Sequence, residues 1–334
     1  MPYENTLFSR RDFLRRSSAL LTSLGAITVG CRAQNSPSDG KSPHIPSPDD
    51  DKHAQSLARQ EIAEINPWSW WREGGYIIHE TVDTGRISEG IIRARVDGSW
   101  QEFRVIELPE RFLNWSLRMR KERLERMIRA GGMDPRDLAG SHNACVATYG
   151  GPRRDSSVSI NTAYKGMGFT VRTDRLGQAI EKIHGERLRI ERETRGDPAG
   201  ELYAKAQFLA RFYNHVSSFD RTKQVSLELF TSPTFHTHTF LNMMTNPITS
   251  ASFLSFPTFE IRAVAQLLHP KNPNLSKGEK EMITYTNAIH DFIHSGPGER
   301  ITCIYHIIEL FDDTPNDLSK GKRIAATQRP TSFT

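Results

Sequence analysis

Seven of the twelve histidines lie between His215 and His306, and two of the pairings among them have metal-ligand spacing. His290 and His294 are four apart in a stretch of helical pattern, so their rings leave one face a turn apart, where two imidazoles share an ion. His236 and His238 are two apart, and in an extended segment they point to the same side. Neutral imidazoles suit Zn, Cu, Ni or Fe, and a carboxylate from Asp291, Glu309 or Asp312 would complete such a site. An ion held there would polarise a substrate oxygen, activate water or cycle electrons. The same four residues also read as hydrogen-bonded structural histidines.

The elements that must carry these side chains are legible in part. Ser276-x-x-Glu279 is a capping box that opens a helix through His294, stopped by Ser295-Gly296-Pro297-Gly298. Met282, Thr286, Ile289 and Ile293 form its buried stripe, with His290 and His294 beside it. Ile301–Phe311 is an almost unbroken apolar run, as in a strand covered on both faces, with His306 and Glu309 expected on opposite faces. These two read as an acid–base pair or as members of internal hydrogen bonds. His142 and Cys145, three apart in a glycine-bounded loop, are a nucleophile-and-base pairing to weigh.

Other chemistries lack their motifs. There is no H-E-x-x-H, C-x-x-C, phosphate loop or Gly-x-Ser-x-Gly. Gly166-Met167-Gly168 runs into Phe-Thr-Val without the third glycine of a dinucleotide fingerprint. Nothing points to NAD, a nucleotide or c-type haem.

Pro67-Trp68-Ser69-Trp70-Trp71 reads as a plug for the core or as a stacking platform for a ligand. Strand-like runs follow at Gly75–Val82, Ile87–Val96 and Trp100–Leu108, the last two joined by the Asp97-Gly98 hairpin signal. Glu110–Ala130 has helical spacing, with Leu113, Leu117, Leu124 and Ile128 inward. Arg118, Arg120, Lys121, Arg123, Arg126 and Arg129 read as a solvated face, or as a contact for anionic headgroups. Strands are expected at Ser157–Ala163, Phe169–Arg172 and Val225–Phe230, and helices at Asp174–His184, from Asp197-Pro198 to Ser217, and at Thr258–Leu268. The fold class expected is α+β: a β-rich N-terminal part with a hairpin, and a mostly helical C-terminal part with a returning buried strand.

The first thirty-one residues address the cellular location. Ser9-Arg10-Arg11-Asp12-Phe13-Leu14-Arg15 precedes a short apolar run from Ala19 to Val29, then Gly30-Cys31. The run is too short and too polar for a spanning helix, which needs roughly 20 apolar residues. This stretch resembles a twin-arginine export signal, with Arg10 and Arg11 as the arginine pair and Arg15 where the family usually has Lys. The resemblance implies passage through the twin-arginine translocase in a folded state. Thr28-Val29-Gly30-Cys31 is similar to a bacterial lipoprotein processing box, with Thr28 where Leu is usual; that likeness implies lipid on Cys31, the alternative being ordinary cleavage nearby. From Gln34 to His53 the chain is rich in Pro, Ser and Asp and should not order by itself. A flexible stretch of that length has a root-mean-square reach of roughly 25–30 Å.

The expected layout is therefore a leader over 1–30, a tether over 31–65 and one α+β domain over 66–334, with potential sub-lobes 66–173 and 174–334. The precursor carries +5. Four arginines against Glu4 and Asp12 put +2 of that in the leader, leaving about +3, too little to suggest nucleic acid as a partner. Cys145 and Cys303 would be a disulfide or two buried thiols in a periplasmic or cell-surface location. Two functions follow. One is a histidine-ligated metal oxidoreductase or hydrolase acting on a small molecule. The other is a cofactor-free accessory or ligand-binding lipoprotein, whose aromatic stretch Phe235–Phe259 forms a pocket or docking surface.

Overall fold

The computed structural model describes residues 66–130, 139–153, 155–294, 298–316 and 321–326. The leader with Arg10 and Arg11, Cys31, the tether and the glycine-rich helix stops at 131–132 and 295–297 lie outside the described residues.

Chain order begins with a two-stranded ribbon, β1 (Trp71–Arg72) and β2 (Tyr76–Ile77). A three-stranded sheet of β3 (Val82–Asp83), β4 (Ile91–Val96) and β5 (Ser99–Arg104) follows. Its hairpin is the expected one. Asp97 and Gly98 have φ of 49° and 81°, the left-handed pair that a type I′ turn requires, and Val96 faces Ser99. Helix α1 (Glu110–Ala130) keeps the expected bounds and buries Leu113, Leu117 and Leu124.

The remaining strands are β6 (Asn143–Tyr149), β7 (Ile160–Gly166), β8 (Gly168–Val171), β9 (Phe219–Glu228), β10 (Ile248–Phe253), β11 (Phe259–Leu268), β12 (Ile301–Asp312) and β13 (Lys322–Ala326). Among the described residues they form one curled, antiparallel sheet in the order β7-β6-β10-β11-β12-β9-β8, with β13 extending the far end of β12. Helices α2 (Leu176–Glu193), α3 (Pro198–Phe212), α4 (His238–Thr245) and α5 (Lys277–Ile293) complete the elements.

The fold is a mixture of helix and strand, and four expectations need correction. The second half is not mostly helical, because β9 to β13 lie in it. Thr258–Leu268 is not a helix: Phe259, Ile261, Ala263, Ala265 and Leu267 alternate onto one face of β11. That strand is paired with β10 on one side and β12 on the other, and burial on both faces hides the period from the sequence. Strands from both sides of residue 173 share the sheet, so 66–173 and 174–334 are not separate lobes. Finally, β12 slips by one residue at Ile308, so Glu309 faces Arg262 just as His306 faces Val264. His306 and Glu309 therefore share a face.

Packing on the inner face of the sheet starts from α1. Phe112 and Trp115 lie against Phe253 and Phe259 with centroids 4.9 to 5.7 Å apart, edge-on or tilted as ring quadrupoles prefer. Helices α2, α3 and α5 pack on one another toward the β8 edge, where the Tyr285 hydroxyl donates to the Phe169 carbonyl at 3.1 Å. The capping box of α5 is formed as expected, Ser276 and Glu279 each bonding the other's backbone N–H.

Candidate functional site

Two segments 165 residues apart in sequence meet at the start of the described chain. Pro67–Trp70 is a single 3-10 turn with proline at its first position; it carries Trp68 and Trp70, and Trp71 follows as its C-cap. Trp71 Nε1 donates to His236 Nε2 at 2.8 Å. His236 is thereby an acceptor at Nε2, with its own proton on Nδ1, and burial lowers its pKa. Its ring stacks on Phe240 at 5.7 Å and 13°, while Trp68 meets it edge-on at 4.9 Å. Trp70 meets Phe240 edge-on at 5.9 Å, and His269 meets Trp71 in the same way at 5.7 Å. His269 is held neutral by burial first and the Lys271 charge second, its pKa lowered to about 4.

The loop that presents His236 is built by Glu228, the last residue of β9. One carboxylate oxygen accepts from the Thr231 and Thr237 hydroxyls at 3.3 and 3.1 Å; the other accepts from Lys165 Nζ at 2.7 Å. Between those threonines, Ser232 and Phe235 exchange backbone bonds of 2.8 and 3.1 Å that close a tight turn. Thr237 then caps α4 by accepting from the Phe240 N–H. Gly75, at φ +70°, lies beneath Pro233, so the loop rests on the turn between β1 and β2. Around the cluster the apolar surface is open: Trp68 is 58 % exposed, Leu229 44 %, Phe230 55 % and Phe235 51 %.

The expected metal residues are divided between places. His236 faces the indoles, but His238 begins α4 and bonds Asp155 through Nε2 at 2.6 Å. The chain turns into a helix at Thr237, so the same-side rule for extended residues does not apply to this pair. His290 and His294 do lie together, with ring centroids 4.9 Å apart. Their surroundings are largely cationic. His290 Nδ1 bonds Asp291, which also accepts from Arg300 at 2.7 Å. Burial, then the charges of His290, Arg123 and Arg300, lower the His294 pKa to about 4.

Glu309 pairs with Arg262 and Arg323, and Asp312 is buried against Arg111. His306 bonds Gln266 at 3.0 Å. Among the described residues no group of three or more His, Cys, Asp or Glu is placed to hold an ion, so the four-imidazole centre is not assembled.

The remaining candidates are engaged elsewhere. His142 lies 3.2 Å from Arg120 through Nδ1; burial first, then the Arg123 and Arg120 charges, push its pKa well down. Cys145 stands across from Tyr164 on β6, and Cys303 is buried on β12, its thiol pushed up to about 12 by burial. Both thiols are free. Arg120, expected in solvent, is 2 % exposed. It bonds the Ser141 and Met167 carbonyls beneath Phe169, whose ring centre is 4.9 Å from the guanidinium.

Sequence reading does not reach the Lys165–Glu228 pair or the Trp71–His236 bond, because both partners lie on separate elements with no local signature. The density of indoles at 68–71 and of aromatic rings after 235 is the one signal that could have joined them. The cluster offers stacking faces, a neutral imidazole and an apolar rim, which is recognition chemistry. Comparison with protein-family models, curated proteins and solved structures finds no match to this chain.

Proposed function

We propose that this chain is an exported extracytoplasmic lipoprotein, carried across by the twin-arginine translocase, anchored through Cys31, and acting by binding through its aromatic cluster. The observation that carries the reading is the convergence of Trp68–Trp71 on His236 and Phe240. Two aromatic segments far apart in sequence share one stacked assembly, and its rim stays open. Trp70 and Trp71 pack on the core and Phe240 is fully buried, as a plug requires, while Trp68, Phe230 and Phe235 are each more than half exposed and form the open rim. The twin arginines and the Gly30-Cys31 junction supply the address and the anchor. Labelling with a radioactive fatty acid tests the anchor. The wild-type chain should incorporate label and Cys31→Ser should not, whereas equal labelling of both removes Cys31 from the proposal. Replacing Arg10 and Arg11 by lysine should trap the precursor inside the cell; export of that variant would contradict the twin-arginine route.

A second reading rests on the His290–His294 pair. Two imidazoles 4.9 Å apart on one helix face have the geometry to chelate Zn, Cu, Ni or Fe, the chemistry of the oxidoreductase or hydrolase alternative. Elemental analysis of the exported protein tests it. Near-stoichiometric metal that disappears in H290A/H294A would favour this reading, and metal-free wild-type protein would end it.

A further inference from the structure

We infer that the exposed rim of the aromatic cluster, formed by Trp68, Leu229, Phe230 and Phe235, seats in the interfacial layer of the membrane to which the chain is anchored. This inference rests on the lipid-anchor reading above and adds what the cluster binds.

Exposed apolar side chains are ordinary when scattered. Here three of them fall within the seven residues 229–235, on a loop pinned from below by Glu228. The fourth is an indole packed on His236 of the same loop. An exposed indole with an apolar body and a polar N–H is the side chain best suited to the headgroup boundary.

The position along the chain identifies the occupant. The described structure begins at Asn66, two residues before Trp68, so residues 32–65 lead from Cys31 directly to the rim. In chain order, the rim is therefore the first described surface after a lipid at Cys31, with thirty-four residues between them.

Charge is not what the rim supplies. The cations nearest it are paired, Lys165 with Glu228, His238 with Asp155 and Arg72 with Glu80, and the exposed Glu73 on the β1–β2 turn carries the opposite sign. The contact should thus be apolar and nearly indifferent to lipid charge. The basic face of α1, with Arg118 and Arg129 well exposed, would behave in the opposite way.

The test uses the mature chain carrying Cys31→Ser, sedimented with vesicles of phosphatidylcholine and with vesicles that also contain phosphatidylglycerol. Binding should differ by less than about threefold between the two, because screened surface charge is not the driving term. Replacing both Phe230 and Phe235 by Ser should weaken it roughly tenfold or more, through the apolar area lost. The conservative pair Phe230→Trp and Phe235→Trp should restore it, which separates surface loss from misfolding. No sedimentation with either vesicle overturns the inference. So does binding to the anionic vesicles alone, which would assign contact to α1. Self-association that is abolished by the serine pair, without vesicle binding, overturns it in favour of a second copy. Fatty-acid labelling remains a separate readout, so failure of the anchor and failure of the rim are distinguishable.

Discussion

The bond from Trp71 to His236 decides which proton the imidazole keeps, and with it what the cluster can offer a partner. Replacing Trp71 by Phe keeps the ring but removes the only N–H aimed at Nε2 in the described structure. Loss of one such bond costs about 1 kcal/mol. The freed nitrogen should also let the His236 pKa rise toward its ordinary value. Urea unfolding and a proton NMR titration of the histidines would show both changes. An unshifted His236 would mean that the indole does not set its protonation. Neither partner could be assigned from sequence, since a hydrogen bond across 165 residues leaves no local trace. The imidazole pair at 290 and 294 is legible because it lies on one helix. Its surroundings are not, because Arg123, Arg300 and His142 come from other elements.

Elements with local punctuation are the legible ones. Helix α1 follows from its apolar spacing, the β4–β5 hairpin from Asp97-Gly98, and α5 from its capping box. Strand β11 is misread because an apolar run buried on both faces has neither helical nor alternating period. The curl of the sheet is likewise non-local, and one ion pair marks it. Lys165 on β7 reaches Glu228 on β9 at 2.7 Å, although four strands lie between β7 and β9 in the sheet order. Side-chain exposures of 14 % and 4 % make this a buried pair. Removing one partner strands the other charge in the interior, which costs roughly 3–5 kcal/mol. Lys165→Met should therefore destabilise strongly and loosen the loop at 229–237, read as faster amide exchange there. The double variant Lys165→Met with Glu228→Gln should recover much of the stability. A loss below about 1 kcal/mol in the single variant would show that the pair is effectively solvated.

The molecule as a whole carries a pH dependence written in its buried imidazoles. Burial lowers His79 and His294 to about 4, His269 to about 4 and His306 to about 3, from an ordinary value of 6.5. Each is neutral in the folded protein at pH 5, whereas in the unfolded chain each is protonated there. Stability should be full above about pH 6.5 and fall as the pH drops toward 4, the unfolded state holding nearly four more protons than the folded one at about pH 5. Unfolding midpoints that stay level from pH 7 to 4.5 would contradict that.

The central claim, that the cluster beside the tether is the face turned to the membrane, is tested most directly by the fluorescence of the mature Cys31→Ser chain on vesicles with brominated acyl chains. Bromine quenches only indoles that reach the interface. Quenching should disappear in Trp68→Phe and persist in Trp100→Phe, whose indole is 45 % exposed on the β4–β5 hairpin. Quenching that survives Trp68→Phe and vanishes with Trp100→Phe would turn the hairpin to the bilayer and contradict the account.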